Sequence, residues 1–412
     1  MSRFQGLWRH PDFLRLWGGQ SISILGSSIT SLALPTTAIL VLHANPFEVG
    51  LLIALARLPF PILALGAGAW VDRVRRRPLM IGADIGRLFA LGSIPPAAAL
   101  GVLTLYQLYA VALITGVFTV FFDIAYLAYV PSLVGREAVV EANTKLQFSG
   151  SVTSLAGPSL AGLLIQLVGS ARAITLDAAS FLVSSVTLLS IQAPEPQSVT
   201  GGRSGVKDIS EGLGFVFRHP LLRALCLLVG ASIFGFHAAE SAEYPFFLEQ
   251  LRLSPGTVGL IFSAGGVGAL AGVFLTSRLI RTLGVGPAIG YSGLAMGVAT
   301  CALALAAVWP AIPTLVLFVF LVGLLDPVHN VTQQSLRQGL TPDSLQGRMS
   351  ATFRTVYWGA WPLGNLVGGS LAAHIGLVPT ILFGGAWGAM ISLLVFATPL
   401  RGVREHPTRL DQ

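Results

Sequence analysis

Glu240 and Glu243 stand three residues apart in an otherwise apolar run, with His237 three residues before them and Tyr244 directly after. On a helix that spacing puts His237, Glu240 and Glu243 on one face. Carboxylates crowded together and kept from water take up protons more readily than free ones. This chemistry suits proton uptake and release. The plain alternative is a hydrated pair at the outer end of the run. Glu240, the deeper of the two, is the better candidate. Asp326 and His329 repeat the i, i+3 spacing. There the histidine is more simply a packing residue, and Asp326 is either a proton site or a partner for Arg278 and Arg281. Arg57 interrupts a further apolar run, about 15 Å into it by helical rise. It either holds an anion or neutralises a carboxylate on the run that carries Glu240. Asp84 and Arg87 most simply neutralise each other near a helix end. Asp177 is expected near an outer end, hydrated or paired with Arg172.

These charges are rare events in their setting. The chain of 412 residues is 53% hydrophobic and 10% charged, against about 25% charged in soluble domains. There is too little charge to clothe two or three soluble domains. Apolar runs long enough to cross a bilayer, about 20 residues each, recur throughout. The pattern predicts an all-α membrane protein with twelve transmembrane helices, roughly 14–42, 47–70, 79–100, 106–131, 143–168, 172–192, 221–247, 256–280, 285–308, 311–337, 349–374 and 377–399. The polar segment 193–220 divides them, giving a bundle over 1–192, a cytoplasmic linker over 193–220 and a bundle over 221–412. A charge inside such a helix is costly and marks a cavity or a partner.

The two bundles are related. Arg9-His10-Pro11 recurs as Arg218-His219-Pro220, and Pro46 with Val49-Gly50-Leu51 recurs as Pro255 with Val258-Gly259-Leu260. Internal repeats in an apolar chain point to two pseudo-symmetric six-helix bundles with a binding site where repeats meet. With the N-terminus in the cytoplasm, nearly all lysines and arginines fall on the cytoplasmic side. Arg172 and Arg252 alone fall in opposite loops, while Arg57 and Arg87 lie within helices. This follows the positive-inside rule and places both termini in the cytoplasm. The net charge of +7 thus serves topology, and no nucleic-acid partner is expected. No cleavable signal peptide is expected either, because the first span itself can direct insertion. Cys226 and Cys301 both fall inside predicted helices and indicate neither a disulfide nor a metal site.

After the second helix comes Gly68-Ala69-Trp70-Val71-Asp72-Arg73-Val74-Arg75-Arg76-Arg77. It resembles the loop signature G-x-x-x-D-R-x-G-R-R of the major facilitator superfamily, with Arg75 standing where the pattern has its second glycine. The resemblance implies a cytoplasmic latch of Gly68, Asp72, Arg73 and Arg76 with Asp123. Arg278, Arg281 and Asp326 look like its second-half copy, in which Ser277 replaces the acidic residue. Gly157, Pro158 and Gly162 in the fifth helix resemble the glycine–proline motif of drug:proton antiporters, and Pro362, Gly364 and Gly368 echo it in the eleventh. The segments Glu211–Phe215, Tyr129–Val134 and Asp177–Phe181 resemble the branch that includes enterobactin exporters and macrolide efflux proteins. Membership implies a proton-coupled exporter of a small organic molecule, working by alternating access in the cell membrane. It implies no cofactor, with the proton gradient as energy source. A monomer in the lipid bilayer is expected. Uptake symport and lipid transport belong to the same fold.

A reading of another class rests on Gly290-Tyr291-Ser292-Gly293, which matches the G-x-S-G string of intramembrane serine proteases, with His329 and His374 as possible bases. Such a short string needs structural context. An ATP-driven pump is excluded for this chain, since neither Lys145 nor Lys207 follows a glycine as a phosphate-binding loop requires.

Overall fold

The computed structural model describes residues 6–71, 73–195 and 206–404. Its helices are α1 (Pro11–Leu40), α2 (Pro46–Arg57), α3 (Pro59–Val71), α4 (Arg76–Gly92), α5 (Ile94–Ala99), α6 (Leu105–Val134), α7 (Val139–Val168) and α8 (Ser170–Ser190). After the connector come α9 (Val206–Arg218), α10 (Pro220–Pro245), α11 (Pro255–Leu283), α12 (Val285–Leu303), α13 (Ala311–Gly339), α14 (Gln346–Ile375) and α15 (Leu377–Leu394). Ten helical segments among the described residues are long and apolar enough to span a membrane. The remaining two predicted spans correspond to α4 with α5 and to α14. The first carries Asp84 and Arg87 and is interrupted at Ser93 before Pro95 and Pro96. The second carries Arg348, Arg354 and His374.

Prolines explain the other interruptions. The second predicted helix breaks between Arg57 and Pro59, because proline supplies no N–H and pushes the residue before it out of helical geometry. The seventh continues past Pro245 as a π-helical turn, Phe246–Gln250, in which Leu251 N–H donates to the Phe246 carbonyl at 2.9 Å.

The repeated Arg-His-Pro triplets have a local reason. His10 caps α1 by accepting the Phe13 N–H on Nδ1 at 3.1 Å, and Pro11 opens the helix. His219 caps α10 through the Leu222 N–H at 3.4 Å, and Pro220 opens it. A helix start has donors to satisfy and loses nothing to a proline at its first position. Gly169 and Gly376 are a second matched pair. Each joins two helices at a φ of 87° and 95°, a region that other residues enter only with strain.

By contact the chain forms two compact units that part within the connector, each taking one short segment from the other half. The first holds Met1–His43, Leu55–Arg203 and Ser254–Gly259; the second holds Ala44–Ala54, Ser204–Leu253 and Leu260–Gln412. The start of α11 groups with the first unit because it crosses α7 without side chains between the backbones. A Cβ on Gly259 would lie 2.2 Å from the Pro158 carbonyl oxygen, and one on Gly162 would lie 2.4 Å from that of Pro255. The start of α2 groups with the second unit for the same reason. A Cβ on Gly50 would lie 2.6 Å from the Asn365 carbonyl oxygen and 2.9 Å from Gly369 Cα. In lipid, where apolar helices gain nothing by hiding from water, such close crossings supply the packing.

Within the first unit Phe13, Met80, Phe122, Tyr129 and Leu188 share one buried cluster; in the second, Leu222, Leu225, Val285, Leu336 and Phe353 share another. Phe89, Leu100, Phe148, Leu167 and Phe274 instead stand exposed, as lipid-facing side chains do. Tyr106 and Trp309 are exposed beside loops, at 83% and 64%, where amphipathic rings favour the membrane–water boundary.

The crossing yields a contrast on one helix pair. Gly259→Ala should destabilise the purified protein by about 1–3 kcal/mol, the usual cost of overpacking. Gly150→Ala in α7, where a Cβ meets nothing within 4 Å, should be neutral or stabilise by up to about 1 kcal/mol. Thermal unfolding in detergent, followed by intrinsic fluorescence, distinguishes the two.

Candidate functional site

The second unit encloses a cavity of about 290 Å³. Its walls come from α10, α12, α13, α14 and α15. On α10, Glu240 and His237 face it one helical turn apart. His237 Nδ1 lies 2.5 Å from Glu240 Oε2, within hydrogen-bond distance. The imidazole is also stacked on Trp361 of α14, with centroids 4.0 Å apart and planes 12° from parallel. The fully buried Asn365 steadies both rings. The amide orientation that satisfies its neighbours donates to the His237 carbonyl at 3.0 Å and accepts from Trp361 Nε1 at 3.2 Å. The Glu240 carboxyl is thus held against the cavity by a partner that cannot turn away without unstacking.

The opposing polar surface is a stripe on α13. Asp326, His329, Asn330 and Gln333 all line the cavity, and their spacing places them on one helix face. Asn330 Nδ2 donates to Asp326 Oδ1 at 2.6 Å, and Gln333 Nε2 donates to Asn330 Oδ1 at 3.0 Å. His329 Nδ1 lies 3.3 Å from the Ile289 carbonyl of α12. Phe236, Met296, Tyr357 and Trp361 supply the apolar lining.

The structure therefore brings together His237, Glu240 and His329 and adds Asp326. Glu243 and Tyr244 lie one turn on and do not line this cavity. Glu243 is half-buried, and Tyr244 packs on Phe262 at 5.6 Å. Asp326 stands at the middle of α13, about 20 Å by helical rise from the end of that helix. Arg278 and Arg281 are exposed in the last turns of α11. The placement is that of a cavity residue. Asn330, Gln333 and Trp361 escaped the sequence reading. The first two were within reach, because they continue the i, i+3 spacing of Asp326 and His329. Trp361 gave no comparable signal, since one tryptophan in an aromatic helix looks like any other.

In the first unit, Arg57 is the last residue of α2, and its charge together with that of Arg87 acts on Asp123 of α6. Asp123 lies about 16 Å by helical rise from the end of α6. Arg87 pairs with Asp84 in the interior of α4, and its guanidinium lies 4.4 Å and 4.2 Å from the ring centroids of Phe122 and Phe181. Asp177, expected to be hydrated or bound to Arg172, is instead 1% exposed and accepts from Ser180 Oγ at 3.1 Å. Gly26 of α1 leaves room for that carboxylate.

The loop after α3 is anchored elsewhere. Asp72 lies outside the described residues, and of Gly68 only its place near the end of α3 is described. The backbone N–H groups of Arg76 and Arg77 donate to the Glu195 carboxylate. The guanidinium of Arg76 reaches the Ala128 carbonyl at 3.3 Å and that of Arg77 the Leu189 carbonyl at 2.5 Å. Glu195, unremarked in the sequence, is the acidic partner of this basic loop. Arg73 is exposed. In the fifth-helix motif, Gly157 admits Ser28 of α1, Gly162 admits the start of α11, and Pro158 presents its carbonyl to Gly259. Ser292 is buried and donates to the Ala288 carbonyl of its own helix at 2.6 Å. His374 is exposed and bonds the Ser370 carbonyl, so no nucleophile–base pair forms.

Spanning helices around a cavity with a few polar groups in a mostly apolar lining suit a membrane transporter. The chain belongs to the Major Facilitator Superfamily, whose family model matches residues 16–364 and 234–410. It is a multi-pass membrane protein that moves a small molecule, and it is not an enzyme. It is 26% identical over 374 residues to the enterobactin exporter EntS of Escherichia coli O1:K1 / APEC, covering 89% of this chain and 84% of that one. It is 26% identical over 416 residues to the exporter of the same name from Escherichia coli strain SMS-3-5 / SECEC, covering 97% and 95%. Among solved structures it resembles a bacterial homologue of the iron transporter ferroportin, with a TM-score of 0.74, 16% identity and coverage of 95% and 99%. It also resembles a D-xylose–proton symporter, with a TM-score of 0.70, 16% identity and coverage of 96% and 99%. At such identities the solved structures establish the fold.

The buried pair in α4 gives a test. Arg87→Leu leaves Asp84 as an uncompensated charge in the helix bundle. The cost expected is about 3–5 kcal/mol, read as poor yield and a thermal midpoint lowered by several degrees. The double variant Asp84→Asn with Arg87→Leu should recover most of that loss.

Proposed function

We propose that this protein is a proton-coupled exporter of a small organic molecule, with its substrate site in the cavity of the second unit. The observation that carries the reading is the Glu240–His237 pair on the cavity wall. A carboxylate sharing a proton with an imidazole can load and release that proton at modest cost. Its contact with the cavity lets the protonation state alter the site that a substrate enters. Coupling requires that each ligand favour one of the carrier's conformations, since a ligand indifferent to them shifts nothing. Glu240 is the proton carrier in this reading, with His237 and Trp361 holding it in place. Asp326 contacts substrate, and His329 fixes the α12–α13 wall.

Export is supported by the similarity to enterobactin exporters and by the glycine–proline motif of α7. The distribution of arginines and lysines supports cytoplasmic termini in the cell membrane. The loop arginines Arg73 and Arg76, with Asp72, steady the cytoplasmic end of the first bundle as the carrier alternates, and Asp123 with Arg57 ties α2 to α6. In the second bundle Arg278 and Arg281 serve the same end without Asp326. Transport draws on the proton gradient and on no cofactor. The working form is a monomer, and no nucleic acid takes part.

The test is accumulation of a panel of cationic dyes and anionic aromatic metabolites in an efflux-deficient bacterium expressing the protein. Expression should lower the accumulation of at least one compound, and a protonophore should restore it. Glu240→Gln should reduce uphill export at least tenfold while leaving downhill exchange of the same compound in proteoliposomes largely intact. Export unaffected by the protonophore, or a Glu240→Gln variant with full uphill activity, sinks the reading.

A further inference from the structure

The charge of the substrate follows from the cavity's own composition. Its described lining carries two carboxylates, Glu240 and Asp326, and neither lysine nor arginine. Glu240 is taken by His237. Asp326 is exposed to the cavity, and its hydrogen-bond partner is the neutral amide of Asn330. The amides of α13 run one way: Gln333 donates to Asn330, and Asn330 donates to Asp326. Both donors of this relay point toward the carboxylate. The chain ends on Gln333, which is 4% exposed and whose Oε1 has no hydrogen-bond partner. A buried amide oxygen without a partner costs about 1–3 kcal/mol. Across the cavity the rings of Tyr357, Trp361 and Phe236 offer π-faces, which attract cations and flat apolar bodies alike.

We propose that the cavity takes a small organic cation with an aromatic body, its charge on Asp326 and its ring among Trp361, Tyr357 and Phe236. An anionic substrate would meet two carboxylates there, with His237 already bonded to one of them. At about 290 Å³ the space lies at the lower limit of small-molecule sites, about 300–1,000 Å³. This suits a single flat aromatic cation and excludes a large branched metabolite from this cavity. The inference rests on the cavity being the transporter's substrate site.

The test is binding to the full-length protein in lipid nanodiscs, with no gradient imposed. Ethidium serves as the cation, followed by its fluorescence, and 2,3-dihydroxybenzoate as the anion, followed by calorimetry. Ethidium should bind, and the anion should not compete with it. Asp326→Asn should weaken ethidium binding at least tenfold, and Asp326→Glu less than threefold. The charge-retaining variant separates lost recognition from lost folding, and each variant is first checked for a monodisperse elution profile. Binding of 2,3-dihydroxybenzoate in preference to ethidium, binding of neither, or an Asp326→Asn variant with wild-type affinity overturns the proposal. Proton-driven flux in proteoliposomes is scored separately. Ethidium binding with no proton-driven movement of either compound would refute the transport reading while leaving the cation site standing.

Discussion

Lipid offers an apolar helix neither a hydrogen-bond partner nor a gain from leaving water, so everything in this protein depends on how closely backbones can approach. The crossings at Gly50 with Gly369 and at Gly259 with Gly162 meet that constraint by removing side chains from the contact. Between α12 and α15 the same device recurs, where a Cβ on Gly297 would lie 2.4 Å from the Ala389 nitrogen. Close packing there leaves the larger side chains of α10, α13 and α14 to define an enclosed space. The cavity is thus a by-product of where small residues are spent.

The same solvent decides what polar groups can do. A charge inside the bundle has to be answered by a neighbour or by a water-filled space. In the first unit it is answered: Asp84 meets Arg87, Asp177 meets serine hydroxyls, and Asp123 feels both Arg57 and Arg87. In the second unit the answer is incomplete, with Asp326 facing the cavity and Gln333 short of a partner. Two bundles built on one repeat therefore carry different chemistry. One is neutralised internally, and the other keeps polar capacity in reserve.

Much of this was legible in the sequence because the bilayer imposes period and length. The all-helical class and the helix starts at His10-Pro11 and His219-Pro220 follow from local rules that the structure obeys. Depth was read less well. Asp326 and Asp123 resembled latch residues because the apolar runs around them have no sharp ends, and a shift of a few residues moves a carboxylate from a helix end to its middle. Asp177 was misplaced for the same reason. Partners distant in sequence left no trace at all: nothing in the chain announces that Glu195 receives the N–H groups of Arg76 and Arg77, or that Trp361 stacks on His237. The assignment of Ala44–Ala54 and Ser254–Gly259 to units opposite their own sequence halves was equally hidden, since it depends on backbone proximity and not on side-chain type.

That exchange has a historical consequence. Gly50 and Gly259 occupy the same place in the repeat, and so do the partners they cross, Gly369 and Gly162. In an ancestor made of a single half, the two crossings would have been one contact made twice by a pair of identical chains, each lending the start of a helix to its copy. Such an exchange is domain swapping, a low-cost route to dimers. Fusion of the two copies would then have freed each to diverge, and the unequal fates of their buried charges are what that freedom produced.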